Sequence, residues 1–523
     1  MLRKQSHTVA LRSVVASGFA VAVLANWTPA VAAAGAEISF PAASSCALCH
    51  SKIPDPADER GGSIAPFALW SGSMMAHSSR DPFWKAKVRE EAALTPAASA
   101  VIEDKCLRCH APTQQYLLRG AGSGMALRDL RPDGEGVTCT VCHQISAARL
   151  GTPASFTGGF QINADNEIYG PHEKPFAMPM QHHTGLTPVE SKHVLESSLC
   201  GSCHTVITPT LAADGRVTGE LIEQAPYLEW LASDFPKAGV TCQKCHMPPL
   251  RDASGATAAQ YIAHMPPGRW FPPTQPRKPF GQHFFAGANT AMLTLLAGIE
   301  PENAPALQRT AQRALESLRS SVSLAASGVV QRGRLVVTVD VRNLTGHKLP
   351  TGFPSRRIWL HLQAFSDRGT TLFESGAWDA RSGTLTGAVE RQPHRSVISR
   401  PEEVMIYQAA TQDAEGRPTT SLLRAAAYVK DNRILPNGFD QSRGAQIGPV
   451  GVDGDPGFRP GSHQVRYEIA LPPGVAPGRI RVEAVYQSIN PAYLGKTPEF
   501  NSLAAALAPV SIASIEVLPK PGK

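Results

Sequence analysis

The sequence has no cysteine outside five copies of one short motif. All ten cysteines of the 523 residues fall in Cys-x-x-Cys-His, so none is left for a disulfide. After residue 24 no apolar run is long enough to cross a bilayer. These absences argue against a disulfide-stapled secreted domain and against a membrane span in the mature chain.

Each copy of the motif is the attachment signature of a c-type haem. Two thiolates bond to the vinyl groups of one porphyrin, and the adjacent histidine becomes an axial ligand of the iron. A single copy could be a zinc half-site or a redox dithiol, but five copies with no cysteine left over make that reading very weak. We therefore predict five covalently bound haem c groups. The predicted attachment residues are Cys46, Cys49, Cys106, Cys109, Cys139, Cys142, Cys200, Cys203, Cys242 and Cys245, and the predicted axial ligands are His50, His110, His143, His204 and His246.

The first 33 residues have the pattern of an export signal. Arg3, Lys4 and Arg12 are basic, residues 14–24 are apolar, and small residues follow at 30–34. We predict a signal peptide over residues 1–33. The mature protein is then periplasmic or extracellular, where haem c is attached.

The formal net charge of +7 is misleading about partners. Three positive charges belong to the signal peptide, and each haem adds two propionates, so the loaded protein is near neutral or negative. This charge gives no support to a nucleic-acid or membrane-surface role. We expect redox proteins as partners, with local lysines available for docking.

Residues 34–300 are predicted to form a pentahaem domain of short helices and loops wrapped on stacked haems. About 50 residues per haem are too few for a conventional core, so this part should not fold without haem. The phrase GVTC at 136–139 and again at 239–242 indicates a weak repeat, in which the second and third motifs correspond to the fourth and fifth.

The pattern changes after residue 300. Residues 301–322 are predicted to form a linking helix, because apolar residues recur at intervals of three and four. Alternating runs then begin at residue 333 and are separated by Gly/Pro turns. We predict an all-β immunoglobulin-like sandwich over residues 323–523, which could cover a haem face or serve in docking or assembly.

The second axial ligand of each iron separates an electron relay from a catalyst. A second imidazole saturates the iron, whereas an open position admits a substrate. Outside the signal peptide and the motifs there are eleven further histidines. We predict these five as distal ligands: His77, His183, His193, His283 and His347.

Several alternatives stay open. His182 competes with His183, and Met74 or Met75 competes with His77, while His172 and His264 are weaker candidates in proline-flanked loops. His347 lies in the second domain, so ligation by it would join the two domains. The remaining histidines are interpreted as surface or packing residues: His361, His394 and His463.

Several phrases resemble the multihaem cytochrome c family. They are WSGSMMAHSSRDPFW, CLRCHAP, GVTCTVCH, SSLCGSCHT, QAPYLEWLASDF, GVTCQKCHMP and HFFAGAN, within residues 44–290. The likeness is greatest to the branch of the tetrahaem cytochrome that accepts electrons from hydroxylamine oxidoreductase. GHKLPTGFPSRR resembles the sheet domain attached to some of these cytochromes. The resemblance implies closely stacked haems and rapid electron transfer between them.

The same family contains enzymes, and two departures bear on that. Ammonia-forming nitrite reductases carry CxxCK at the catalytic haem, whereas all five motifs here end in histidine. Nothing marks Tyr169, Tyr227 or Tyr261 for the cross-linked role of the tyrosine in hydroxylamine oxidoreductase. We predict an exported electron relay with mostly bis-histidine haems. The alternatives are an oxidoreductase acting on a small nitrogen or sulfur compound at one open haem, and a structural conductor that assembles through its ends.

Overall fold

The computed structural model describes residues 38–52, 62–120, 125–131, 134–265, 274–380, 382–387, 391–495, 503 and 508–521. The predicted signal peptide lies outside the described residues. None of the described helices is long and apolar enough to span a membrane.

The first half of the chain is built from short helices joined by turns and loops. The helices are α1 (Ala43–His50), α2 (Pro66–Trp70), α3 (Pro82–Leu94), α4 (Ser99–His110), α5 (Pro112–Gly120), α6 (Cys139–Gln144), α7 (Met178–Thr184), α8 (Ser197–Gly201), α9 (Pro226–Leu231) and α10 (Cys242–His246). Proline at the first turn favours several of these starts, as in α3, where the side chain of Asp81 also accepts from two backbone N–H groups.

Two small strand pairs interrupt this helical region, and the sequence analysis did not predict them. The strands are β1 (Glu167–Gly170), β2 (Thr187–Glu190), β3 (Val206–Leu211) and β4 (Val217–Gln224). β1 and β2 pair in parallel, whereas β3 and β4 form an antiparallel hairpin. β2 follows the pair His182 and His183, and β3 follows the fourth haem motif. These short strands are not recognised from the sequence because the neighbouring segments are interpreted only as ligand and attachment sites.

Two longer helices join the halves of the chain. They are α11 (Thr290–Ile299) and α12 (Ala304–Ser320), the second lying within the predicted linking segment 301–322. Buried residues of both helices, including Leu296 and Leu307, share one apolar cluster with Ala86 of α3. The linking helix is therefore packed onto the haem region.

The second half of the chain is rich in strands. They are β5 (Val322–Gln331), β6 (Arg334–Asn343), β7 (Arg357–Ser366), β8 (Thr371–Ser375), β9 (Val397–Ile398), β10 (Ile406–Tyr407), β11 (Ala409–Gln412), β12 (Pro418–Thr419), β13 (Ala427–Asp431), β14 (Phe458–Arg459), β15 (Ser462–Ala470), β16 (Pro477–Gln487), β17 (Val510–Val517) and β18 (Lys520–Pro521).

Two sheets of this region share one apolar core. The first has the order β14-β15-β6-β5-β18 with β9 against β15, and the second has the order β10-β7-β16-β17 with β8 against β7. Alternate residues of β6 and β15 are buried with those of β7 and β16, as the period-two pattern predicts. The structure confirms the strand-rich C-terminal region, and the immunoglobulin-like arrangement stays a prediction.

Candidate haem-binding site

All five Cys-x-x-Cys-His motifs face one continuous cavity of about 1810 Å³. Each motif lies on or at the end of a short helix: α1, α4, α6, α8 and α10. All ten cysteines and all five motif histidines line the cavity. The cavity occupies the place where a domain of this size would normally hold an apolar core.

The motifs are close to one another around the cavity. The thiol of Cys46 is hydrogen-bonded with that of Cys139, so the first and third motifs are neighbours. Cys109 is likewise paired with Cys203, and Cys200 with Cys242. The fourth motif therefore contacts both the second and the fifth.

The third and fourth motifs are also neighbours. Cys203 of the fourth motif lies near enough to Cys142 of the third to interact with it electrostatically. Motif 1 therefore lies beside motif 3, and motif 3 lies beside motif 4. Motifs 2 and 5 each lie beside motif 4.

Four motif histidines are oriented by the same backbone contact. Their Nδ1 atoms lie against backbone carbonyls, 2.6 Å from Ile262 for His50, 2.6 Å from Tyr169 for His143 and 2.7 Å from Ala286 for His246. The corresponding distance for His110 is 3.4 Å. Donation from Nδ1 leaves Nε2 as the lone-pair nitrogen, which is the arrangement that second-shell carbonyls impose on ligating histidines.

Burial also keeps these rings in the ligating form. It lowers the pKa of His110 to about 4 and lowers the pKa values of His50 and His143. A neutral imidazole is required for binding to iron. The indole of Trp84 stacks on the His110 ring at 4.4 Å and 5°, which fixes the ring plane.

His283 and His347 stand opposite two of the motif histidines. The ring centroids of His143 and His283 are 6.3 Å apart with planes 22° from parallel, and those of His246 and His347 are 6.3 Å apart at 20°. Two metal–nitrogen bonds of about 2.0 Å each, plus the distance from each nitrogen to its ring centre, give a separation of this size. Each pair therefore has the spacing of two axial ligands on one iron.

The distal rings have the same backbone orientation as the motif rings. His283 Nδ1 is 2.8 Å from the carbonyl oxygen of Gly281, and His347 Nδ1 is 2.9 Å from that of Lys348. Both residues line the cavity. Burial lowers the pKa of His283 to about 4 and lowers that of His347. The donor set therefore fits haem c at the third and fifth motifs.

The structure places the other predicted distal ligands differently. His183 lines the cavity near the first motif, with Nε2 3.1 Å from the carbonyl oxygen of Ser45. His77 and His193 are buried but do not line the cavity. Both nitrogens of each are occupied, those of His77 by Ser71, Arg80 and Glu300 and those of His193 by Ile145 and Ser191. Ligation by His77, His183 and His193 stays a prediction.

The weaker candidates for distal ligands also differ in whether they line the cavity. His172 lines the cavity, whereas His264 and His182 do not. His264 Nδ1 is 2.9 Å from the carbonyl oxygen of Cys49, next to the first motif. In the part of the chain that the structure describes, His50, His110 and His204 have no histidine ring opposite them at the spacing of the other two pairs.

The loop that carries His347 is held to the haem region by a buried carboxylate. Glu229 of α9 accepts hydrogen bonds from the backbone N–H of Lys348 at 3.0 Å and from the Thr351 hydroxyl at 2.5 Å. The ammonium of Lys348 is 2.5 Å from Asp431, which Arg433 also contacts. These partners hold the pKa of Asp431 well below its usual range. The cluster fixes the position of His347 relative to the cavity.

A second carboxylate makes a similar contact at another point. Glu91 of α3 accepts from the Ser421 hydroxyl at 2.6 Å and from the backbone N–H of Leu422 at 2.8 Å. The strand-rich region is thus anchored to the haem region on two sides by buried hydrogen bonds.

Sequence reasoning missed two clusters. His394 and His463, interpreted as surface or packing residues, converge with Asp455 in the strand-rich region, and His361 lies between Glu374 and Glu483. His394 is 61 residues from Asp455 and His361 is 122 residues from Glu483, so no local spacing or periodicity signals these contacts.

Comparisons with known proteins find similarity to multihaem cytochromes. Residues 45–144 match the model of the family described as cytochrome c554 and c-prime. The penta-heme cytochrome c552 from Thermochromatium tepidum has a similar fold, with a TM-score of 0.52 and 18% identity over 91% of this chain and 98% of that chain. No curated protein matches the sequence.

Residues 45–144 are thus similar to the cytochrome c554 and c-prime family, and most of the chain has the fold of a penta-heme cytochrome c. Membership of the narrower tetrahaem branch stays a prediction.

Proposed function

We propose that this chain is an exported pentahaem cytochrome c that relays electrons between redox proteins. The observation that carries the proposal is the single cavity onto which all five motifs face, with neighbouring motifs in contact. Haem c supplies one-electron chemistry when bound at such motifs. Multihaem cytochromes of this kind act outside the cytoplasm, which agrees with the predicted signal peptide.

The proposed ligand set follows from the geometry. The ten motif cysteines attach five haems, and the five motif histidines serve as proximal ligands. His283 is proposed as the distal ligand at the third motif and His347 at the fifth, since each has the axial spacing and the Nδ1 contact described above. Two saturated irons of this type can transfer electrons but cannot bind a substrate.

The proposed path for electrons follows the connected motifs. Motif 4 lies between motif 3 on one side and motifs 2 and 5 on the other. Motif 1 is at the end of the series, beside motif 3. Loss of motif 4 should therefore divide the relay, whereas loss of motif 1 should only shorten it.

This difference provides the test. The intact mass of the exported protein should correspond to the mature chain with five haems. We expect a small redox dye to oxidise all reduced haems in one rapid phase, and a slow second phase to appear when Cys200 and Cys203 are both replaced by serine. The matched control, with serine at Cys46 and Cys49, should lose one haem and keep one phase. Fewer than five haems, or the same kinetics in both variants, would contradict the proposal.

A second candidate function is an oxidoreductase acting on a small nitrogen or sulfur compound. Arg356 favours it, because this residue lines the cavity and lies near enough to His204 to affect its ionisation. A guanidinium beside an open haem could bind an anionic substrate. This function requires that the iron at the fourth motif has no distal protein ligand.

A further inference from the structure

Three side chains of ligand type converge in the strand-rich region, away from the haem cavity. Nε2 of His394 is 2.8 Å from Oδ2 of Asp455, and Nε2 of His463 is 3.0 Å from the same oxygen. The ligand atoms of all three residues lie within 4.8 Å of one another. None of the three residues lines the haem cavity.

Strand pairing brings these residues together. His463 lies on β15, which pairs with β14 so that Phe458 is opposite His463. Asp455 lies just before β14, which is antiparallel to β15. His394 lies just before β9, which pairs with β15 in parallel. The cluster is therefore built on a regular sheet and closed by two loops.

The cluster is shielded from solvent. The side chains of His394, Asp455 and His463 are 4%, 6% and 0% exposed. Burial lowers the pKa of His463 to about 4 and also lowers that of His394. The carboxylate has no lysine or arginine ion pair among the described residues. Two imidazoles that converge on one buried carboxylate suit a divalent cation.

The second nitrogen of each ring also has a partner. Nδ1 of His463 is 2.9 Å from the hydroxyl of Tyr407 and accepts from it, because Nε2 donates to Asp455; the hydroxyl can turn and accept from Nδ1 when Nε2 binds a metal. The second carboxylate oxygen of Asp455 accepts from the backbone N–H of Gly457 at 2.8 Å. Such contacts orient ligating groups around a metal.

Asn432 determines the tautomer of His394. Its Oδ1 accepts from the backbone N–H of Gln408 at 3.0 Å, so its Nδ2 is the group that faces Nδ1 of His394 at 3.1 Å. In this arrangement His394 carries its proton on Nε2 and donates it to Asp455. A metal on Nε2 requires that proton to move to Nδ1 and the Asn432 amide to turn its oxygen toward the ring.

We propose that His394, Asp455 and His463 bind one divalent transition-metal cation of the zinc class. Two imidazoles and one carboxylate are ligands that zinc, iron and nickel accept, whereas calcium and magnesium prefer sites made only of oxygen. The cation would join the loops at 394 and 455 to β15. The site is independent of the haems, because it shares no residue with their cavity.

Zinc binding to the haem-loaded protein tests this proposal. The protein is treated with EDTA, incubated with Zn²⁺, passed through a gel-filtration column and analysed for zinc and iron per chain. We expect the wild type to retain one more zinc per chain than His394→Gln or Asp455→Asn. The matched control is His361→Gln, a histidine whose two ring nitrogens face different carboxylates, Nε2 facing Glu374 and Nδ1 facing Glu483, so that the three groups do not converge on one point. It should retain as much zinc as the wild type.

Asn432→Asp gives a second, opposite prediction. A carboxylate at this position accepts a proton from Nδ1 of His394 without turning, so zinc affinity should rise by about tenfold, the lower end of measured second-shell effects. Haem spectra and the thermal midpoint without zinc show whether each variant is folded. Equal zinc retention by the wild type, His394→Gln and Asp455→Asn, all folded, would overturn the proposal and leave a hydrogen-bonded His–Asp–His cluster.

Discussion

The imidazole of His347, from the strand-rich region, lies 6.3 Å from the imidazole of His246, from the fifth haem motif, with the two planes 20° apart. The two rings are about a hundred residues apart in sequence and come from different halves of the chain. The strand-rich region therefore contributes a ring to the cavity beside motif 5. Buried charges hold the loop that carries this ring.

Replacing His347 tests its role as a ligand. We expect His347→Ala to convert one haem in five from low-spin to high-spin in the oxidised protein, because its iron loses a strong-field axial ligand. Optical spectra and low-temperature EPR measure the change. The control His361→Gln alters a histidine of the same region that does not line the cavity. An unchanged spin state in His347→Ala would show that His347 is not a ligand.

Glu229 should be essential for the position of the His347 loop. In Glu229→Gln the amide oxygen can still accept from Lys348 and Thr351, but the negative charge that strengthens these bonds and lies near Arg433 is lost. Hydrogen bonds to charged groups contribute about 1.5–3 kcal/mol, so the denaturation midpoint should fall. The haem at motif 5 should also change its spectrum. Glu220→Gln, at an exposed position of β4, is the control, and equal stability of both variants would refute this role.

Lys430 should make the free energy of unfolding depend on pH between about 7 and 10. Burial lowers the pKa of Lys430 to about 7 in the folded protein, whereas the unfolded side chain keeps a pKa of about 10.4. Between these values the unfolded chain binds one more proton, so stability rises with pH by up to about 1.4 kcal/mol per pH unit. Denaturant unfolding at pH 7, 8 and 9 should show this rise to be smaller in Lys430→Met.

The exposed Lys237 provides the comparison for that experiment. Lys237→Met should keep the pH dependence of the wild type. Parallel pH profiles for the wild type and Lys430→Met would mean that Lys430 stays charged in the folded protein.

Chain made without haem attachment should be only partly folded. The haem region surrounds a cavity in place of an apolar core, whereas the strand-rich region has a core of its own that includes Leu335, Ile358 and Val465. Limited proteolysis of the haem-free chain should therefore leave a resistant fragment near residues 323–521 and degrade the rest. A fully resistant haem-free chain would contradict this expectation.

The attachment residues can be predicted from the sequence, because covalent haem chemistry requires a fixed local spacing. The sequence also indicated the strand-rich region through alternation such as that of β6 and β15. It predicted His347 as a distal ligand but not the motif that it lies opposite, because pairing with His246 depends on how two distant segments pack. The contacts of His77 and His193 could not be predicted either, since their partners include backbone carbonyls and Glu300, far along the chain.

The spin state of the irons tests the central claim most directly. Low-temperature EPR of the oxidised holoprotein, quantified against total haem, counts irons with two strong axial ligands. The relay predicts five low-spin ferric haems, with those of motifs 3 and 5 among them, and no change on addition of nitrite, hydroxylamine or cyanide. A high-spin ferric signal equal to one haem, altered by these ligands, would contradict the relay and favour the oxidoreductase.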